Sequence, residues 1–298
     1  MGFSCITTVL AAGKSQDLTD LATVKDELRI LAANTADDSW LRRAISNVSA
    51  AVATYCQRVF LPELIEDVLD FQQDPYPYQT PGGVTSLQLS RWPVVSLISV
   101  EQITSPGQRE ALTEGTDFRL NAEIGELVRI NRYTGAPTTW DTTPLAVRYV
   151  GGFGQRAQEE HTVPAVAPFT ITPTDTAFSC DIAVSLTDGT ALDRVTGTPA
   201  GGEYAISAGI YRFNAAQAGQ TLTLDFASKA VPPDLVDVTL RVITGRHHAR
   251  GRDPLLVSID TDDVGTKRWW VGGSPGQTGP FPPEIAGMLD QYNMPVVA

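Results

Sequence analysis

Residues 37–57, DDSWLRRAISNVSAAVATYCQ, decide how the rest of the chain is read. Leu41, Ile45, Val48, Val52 and Tyr55 recur at steps of four and three, which lines them along one helical stripe. Ala44, Ala50, Ala51 and Ala53 add helix propensity and let neighbours approach closely. Arg42, Arg43, Asn47 and Ser49 fall off the stripe, so they are expected in water or against a partner. Asp37 or Asp38 is placed to cap the start, where a carboxylate accepts orphan backbone N–H bonds. Such a helix is roughly 30 Å long at 1.5 Å per residue. It predicts the spine of a mixed α+β core.

Working outward, residues 1–20 read as a loosely ordered arm. Thr23 and Asp26 have the spacing of a capping box, and a short helix follows with Val24, Leu28 and Leu31 on one face. A tight connection at 34–36 leads into the spine. Beyond Arg58 the period changes to that of strands. Strands are predicted at 64–71, at Leu87 and Leu89, at 94–100, 118–121, 127–130 and 145–150. Between them, 74–83 (DPYPYQTPGG) and 134–143, which holds Trp140, are loops, and Arg91-Trp92-Pro93 is a break. Short strands at roughly ten-residue spacing favour an antiparallel sheet or small barrel.

Composition shifts at Gly151. Residues 159–230 lack helical periodicity and carry eight acids against three bases. Strand-like segments at 169–171, 182–184, 204–206, 211–213 and 222–224 predict an inserted β-sandwich domain. Pro232-Pro233-Asp234 then opens a helix, since proline costs nothing in a first turn. Leu235, Val238, Val242 and Ile243 form its stripe, and Arg246, His247, His248 and Arg250 its positive end before Gly251. A Gly-rich connection, 252–281, precedes a short helix with Ile285, Met288 and Leu289 inward, and an apolar tail, MPVVA. The expected organisation is an arm (1–20), a core (21–158), an inserted β-domain (159–230) and the returning core (231–298). The fold class is α+β, a helical core with an antiparallel sheet or small barrel plus an all-β insert.

The net charge is −12, with 34 acids against 22 Lys and Arg. That excludes binding that tracks phosphates, which needs cations to neutralise them, and suits a conduit that repels DNA better than a clamp. Cys5, Cys56 and Cys180 are too few and too scattered for a disulfide framework or metal knuckle. Cys56 reads as an inert core thiol. The apolar run at the start is too short to span a bilayer, so no membrane is expected as partner. His247 and His248 are adjacent on a helix and diverge by about 100°, which suits helix-end cations rather than metal ligands. The run from Asp260 to Gly265 starts like a calcium loop but has Val264 and Val271 where oxygen ligands are required. The glycine clusters at 151–154 and 272–276 lack the lysine or spacing of a phosphate loop. No catalytic, cofactor or metal site emerges, and an enzyme is not expected. Trp269 and Trp270 beside Lys267 and Arg268, with the tail residues Met294, Val296 and Val297, are the candidate partner interface, because aromatics and arginine dominate interface energetics; a local tuck of the two tryptophans onto the core is the other reading.

In order, the pieces resemble the head–tail connector (neck adaptor) proteins of long-tailed double-stranded DNA phages. The resemblance rests on the helix pair around Leu28-Arg29-Ile30 and 37–58, and on Leu87-x-Leu89-x-Arg91-x-Pro93-Val94-x-Ser96-Leu97-x-Ser99-Val100. It continues through Asp117-Phe118-Arg119-Leu120, Val147-Arg148-Tyr149-Val150-Gly151-Gly152 and Val231-Pro232-Pro233-Asp234-Leu235. It covers about three-quarters of the chain by pattern and order; the β-insert has no counterpart in short family members. The resemblance implies a virion neck protein, a ring of typically twelve subunits that joins the portal to a tail-side neck or terminator protein. DNA would pass through its channel without sequence-specific binding. The other structural class consistent with an acidic, site-poor chain is a neck or tail decoration or receptor-binding protein.

Overall fold

Long apolar runs that alternate, broken by glycine and proline, make strands the commonest element here, and the computed structural model contains seventeen of them among its described residues. Those residues are 3–71, 86–141, 143–250, 258–261, 265–268 and 281–293. In chain order they form β1 (Phe3–Ala11), α1 (Leu21–Glu27), α2 (Asp38–Cys56), β2 (Glu63–Phe71), β3 (Ser86–Gln88) and β4 (Val94–Ser105). Next come β5 (Gln108–Ala111), β6 (Phe118–Asn121), β7 (Glu126–Arg129), β8 (Leu145–Gly151), β9 (Gly154–Thr162) and β10 (Thr170–Ile171). Then follow β11 (Phe178–Leu186), β12 (Ala191–Val195), β13 (Glu203–Ser207), β14 (Ile210–Phe213) and β15 (Thr221–Lys229). The chain finishes with α3 (Pro233–His248), β16 (Ser258–Thr261), β17 (Gly265–Arg268) and α4 (Pro283–Leu289). The fold is mixed α+β and mostly sheet, as the sequence predicts.

Residues 1–15 and 61–230 make one unit, which holds the three larger sheets. Five strands run in the order β1-β2-β8-β4-β5, three in the order β3-β7-β6, and seven in the order β10-β14-β13-β12-β11-β15-β9. Every pairing is antiparallel except β12 with β13. One core lies under the five- and three-stranded sheets, where Ile65, Leu69, Leu87, Phe118, Trp140 and Tyr149 meet. A second fills the seven-stranded sheet with Val184, Tyr204, Tyr211, Leu222 and Phe226. A small cluster of Ala11, Leu64 and Val150 with Cys180 and Ala227 joins the two.

The seven-stranded sheet begins at β9, whose nine residues pair with β15 from Thr221↔Thr162 to Lys229↔Gly154. The glycines at its start are set by crowding. A Cβ on Gly152, which sits at φ 133°, would lie 2.6 Å from the Leu61 backbone, and one on Gly154 2.3 Å from the Pro62 ring. Gly152 in the turn after β8 and Gly154 at the first position of β9 are thus packing contacts where only glycine fits.

The expected arm is instead the edge strand β1, paired residue by residue with β2 from Phe3↔Phe71 to Val9↔Ile65. Its run of Ile6, Thr7, Thr8 and Val9 is β-branched throughout, the composition of a strand. Thr7 adds a specific tie, its hydroxyl donating to Asp67 at 2.7 Å.

Residues 16–60 and 231–298 make the helical unit. On α2, Leu41, Ile45, Val48 and Val52 are buried as the stripe predicts. Gln57 ends the helix in the left-handed conformation at φ 52°. Its start departs from expectation, because Asp37 occupies the cap position but makes no capping bond. Asp37 is drawn away by Arg250, 2.6 Å off, and His247. Thr23 does not cap α1 either; Asp20 does, accepting the Thr23 N–H at 2.9 Å. Leu31 lies beyond the end of α1 and is 78% exposed, so it does not share the face of Val24. Lys25 is buried, with its Nζ donating to the carbonyls of Ala32 and Asn34 and 2.5 Å from Asp38. On α3, Leu235, Val238 and Ile243 are buried with Thr239, while Val242 is half-buried. On α4, Ile285 and Leu289 point inward and Met288 is half-buried. The 74–83 loop, Gly251 and the MPVVA tail lie outside the described residues.

Candidate functional sites: buried carboxylates and interaction surfaces

The most deeply buried aspartates of the first unit are Asp67 in the five-stranded sheet and Asp181 in the seven-stranded sheet. Asp67 sits mid-strand on β2 and is fully buried. Its carboxylate accepts from the Thr7 hydroxyl, from the Ser90 N–H at 2.9 Å and hydroxyl at 2.8 Å, and from the Tyr149 hydroxyl at 2.7 Å. Tyr149 in turn accepts the Arg91 N–H at 3.0 Å, which fixes the break after β3. Burial raises the Tyr149 phenol far above its ordinary range, with the Asp67 charge adding to it. Four donors leave this carboxylate no free lone pair aimed at a substrate.

Asp181 on β11 is the counterpart. Its two oxygens accept from the Tyr204 hydroxyl at 2.7 Å and the Tyr211 hydroxyl at 2.8 Å, and Arg194 stands 3.8 Å off. Burial is the main influence and pushes the Asp181 carboxyl up, against the two phenolic bonds and Arg194. The rings of Tyr204 and Tyr211 stack with centroids 6.0 Å apart. A cavity of about 280 Å³ opens beside it, lined by Lys14, Ser179, Arg194, Ser207 and Gly209 among others. Asp181 itself lines this cavity, while each of its oxygens accepts one phenolic bond that ties β11 to β13 and β14.

Outside these clamps the titratable groups form local pairs. Burial works against Glu159, but the His161 bond and the N–H groups of Thr174 and Asp175 prevail and hold it at about 2. Arg156 holds Asp225 in a bidentate pair between β9 and β15. His247 packs edge-on to Trp40, with ring centroids 5.7 Å apart, and lies 3.7 Å from Asp37. Arg250 lies over the Trp40 ring at 4.8 Å. Among the described residues no group of three or more His, Cys, Asp or Glu is placed to hold a metal ion. Cys56 is buried, its Sγ 3.7 Å from the Leu289 carbonyl, and burial raises its thiol to about 11. No described helix is long and apolar enough to cross a membrane.

Of the expected partner interface, Lys267 and Arg268 fall on β17, paired with Ile259 and Ser258. Trp269, Trp270, Met294, Val296 and Val297 lie outside the described residues, as do Asp262, Asp263 and Val264 of the acidic turn. The sequence reading missed both aspartate clamps. The signal available for Asp67 was an acid at an inward position of β2, between Ile65 and Leu69.

No protein-family model matches the sequence, and no curated protein matches it. Among solved structures, the chain is similar to one from the neck of an empty gene transfer agent particle computed with C6 symmetry. The TM-score is 0.41 and the identity 11%, over 100% of this chain and 98% of that one. It is also similar to a chain from the virion of a native gene transfer agent particle, with TM-score 0.31 and 16% identity, over 51% of this chain and 72% of the other.

Proposed function

We propose that this chain is a structural protein of a phage-type virion neck, a head–tail connector whose ring joins the portal to the tail-side neck or terminator protein. The observation that carries the reading is the order of elements at the residues on which the resemblance rests. The helix pair α1 and α2 comes first, then β3 and β4 flanking the Arg91-Trp92-Pro93 break. β6 and β8 follow, with Gly151-Gly152 at the end of β8, and then α3 opening on Pro232-Pro233. Twelve subunits, an acidic channel that lets DNA pass, a separable β-domain at 159–230, and contact through Trp269, Trp270 and the tail all belong to this proposal. So does a working place in the virion after synthesis in a host cell.

The test is assembly. Mass photometry of the purified chain, alone and with a portal protein, should find rings. Trp269→Ala with Trp270→Ala, or removal of residues 294–298, should weaken ring formation or portal binding and leave the circular dichroism spectrum unchanged. Unfolding of the double variant would place the tryptophans in the core and remove them from the interface. A decoration or receptor-binding role is the second reading. The seven-stranded sheet, which short connectors lack, favours it, and persistent failure to join a portal ring would support it.

A further inference from the structure

In the first unit, Arg91, Arg109, Arg132, Arg148 and Arg156 each hold a carboxylate within hydrogen-bond reach. Lys14 and Arg194 are not matched in this way, and both line the cavity of about 280 Å³ beside Asp181. Arg194 stands 3.8 Å from Asp181 Oδ2, too far for a hydrogen bond. Neither side chain donates a hydrogen bond to any described residue. Lys14 is nonetheless held in place. Its N–H donates to the Ser179 carbonyl at 2.7 Å, which ties the segment after β1 to β11. Its stem runs over Gly209 in the turn between β13 and β14. A Cβ at Gly209 would meet Lys14 Cδ at 3.3 Å and the Phe178 ring at 3.4 Å, so the missing side chain makes the seat for the lysine.

We infer that this cavity binds a small oxyanion, a phosphate or a carboxylate, between Lys14 and Arg194. What the lining has to spare is donors: a guanidinium fork, which matches two oxygens of either group, and an ammonium point charge. The one carboxylate in the wall has a phenol on each oxygen, and burial pushes it up toward its neutral form, so it opposes the anion little. The same engagement leaves no set of oxygen ligands for a metal ion. The volume is just under the usual range of ligand clefts, so the occupant is small. In a chain of net charge −12, two cations without an acceptor at one cavity are a local reversal of sign, and an anion is drawn to it.

The experiment is equilibrium dialysis or titration calorimetry of the full chain with inorganic phosphate and, separately, acetate, in a low-chloride buffer. At least one of them should bind saturably, one per chain, at millimolar concentration or below. Tighter phosphate binding would assign a phosphate-bearing solute, and tighter acetate binding a carboxylate. Lys14→Gln and Arg194→Gln each remove a charge-assisted bond and should weaken binding about tenfold or more. Arg212→Gln, which removes an exposed cation of β14 outside the cavity, should leave binding unchanged. Arg194 neighbours the buried Asp181, so its variant is read only if its circular dichroism spectrum is retained; Lys14 is exposed, and its variant decides alone otherwise. No saturable binding of either anion overturns the proposal. So does a folded Lys14 or Arg194 variant that binds like the natural chain, or an equal loss in Arg212→Gln. Ring assembly does not enter the measurement, so the connector reading is tested apart from this one.

Discussion

Asp67 and Asp181 are alike in burial and unlike in what surrounds them, and the difference shows two ways of keeping a carboxylate inside a sheet. Asp67 recruits donors from three places remote in sequence, β1, the Ser90 turn and β8, including one backbone N–H. Asp181 relies on two phenols and a guanidinium beside a cavity, and burial still pushes its carboxyl up. The first is a joint that closes the fold. The second is a tolerated charge.

The sharpest way to break the comparison is Asp67→Ala. It strands four donors and frees Thr7 from β2, so a loss of about 3–5 kcal/mol is expected, read from urea unfolding. Tyr149→Phe removes one charge-assisted bond and leaves the Arg91 N–H unpaired, so about 2 kcal/mol should be lost in the same measurement. Asp181→Asn should cost about 1 kcal/mol or less near neutral pH, because the amide keeps an acceptor and sheds a buried charge.

Its pH dependence is the better discriminator. A carboxyl raised in the folded state stabilises when protonated, so that contribution is present below about pH 4, the unfolded value, and is lost as pH rises through the raised folded value. Asp181→Asn should remove this decline from the melting-temperature profile. Glu159 has the opposite sign. Held at about 2, it contributes above the unfolded value and loses that contribution as pH falls toward 2. Glu159→Gln should flatten the acid limb alone. The smallest effect belongs to Arg109→Ala at the exposed Glu66–Arg109–Glu101 group, less than about 0.5 kcal/mol, since such surface pairs are screened.

What was legible in the sequence follows from range. The α2 stripe, the β8 run and the proline-led start of α3 are local patterns, and Leu41, Val147 and Leu235 are buried where periodicity puts them. The clamps are non-local: Tyr149 reaches Asp67 across 82 positions, and no spacing rule anticipates that. β1 was misread because an arm and an edge strand differ only in whether a partner, here β2, is on offer. The capping of α2 failed for a similar reason, since Arg250 on the far side of the sequence outbids the local N–H groups for Asp37. For the expected interface, sequence supplied residue types and no geometry.

Negative-stain electron microscopy of the purified protein, with and without portal, tests the proposed connector ring most directly. Class averages should show closed rings with a central channel, stacked coaxially on portal when it is present. Dispersed single subunits in both samples, with no density added to portal, would contradict it.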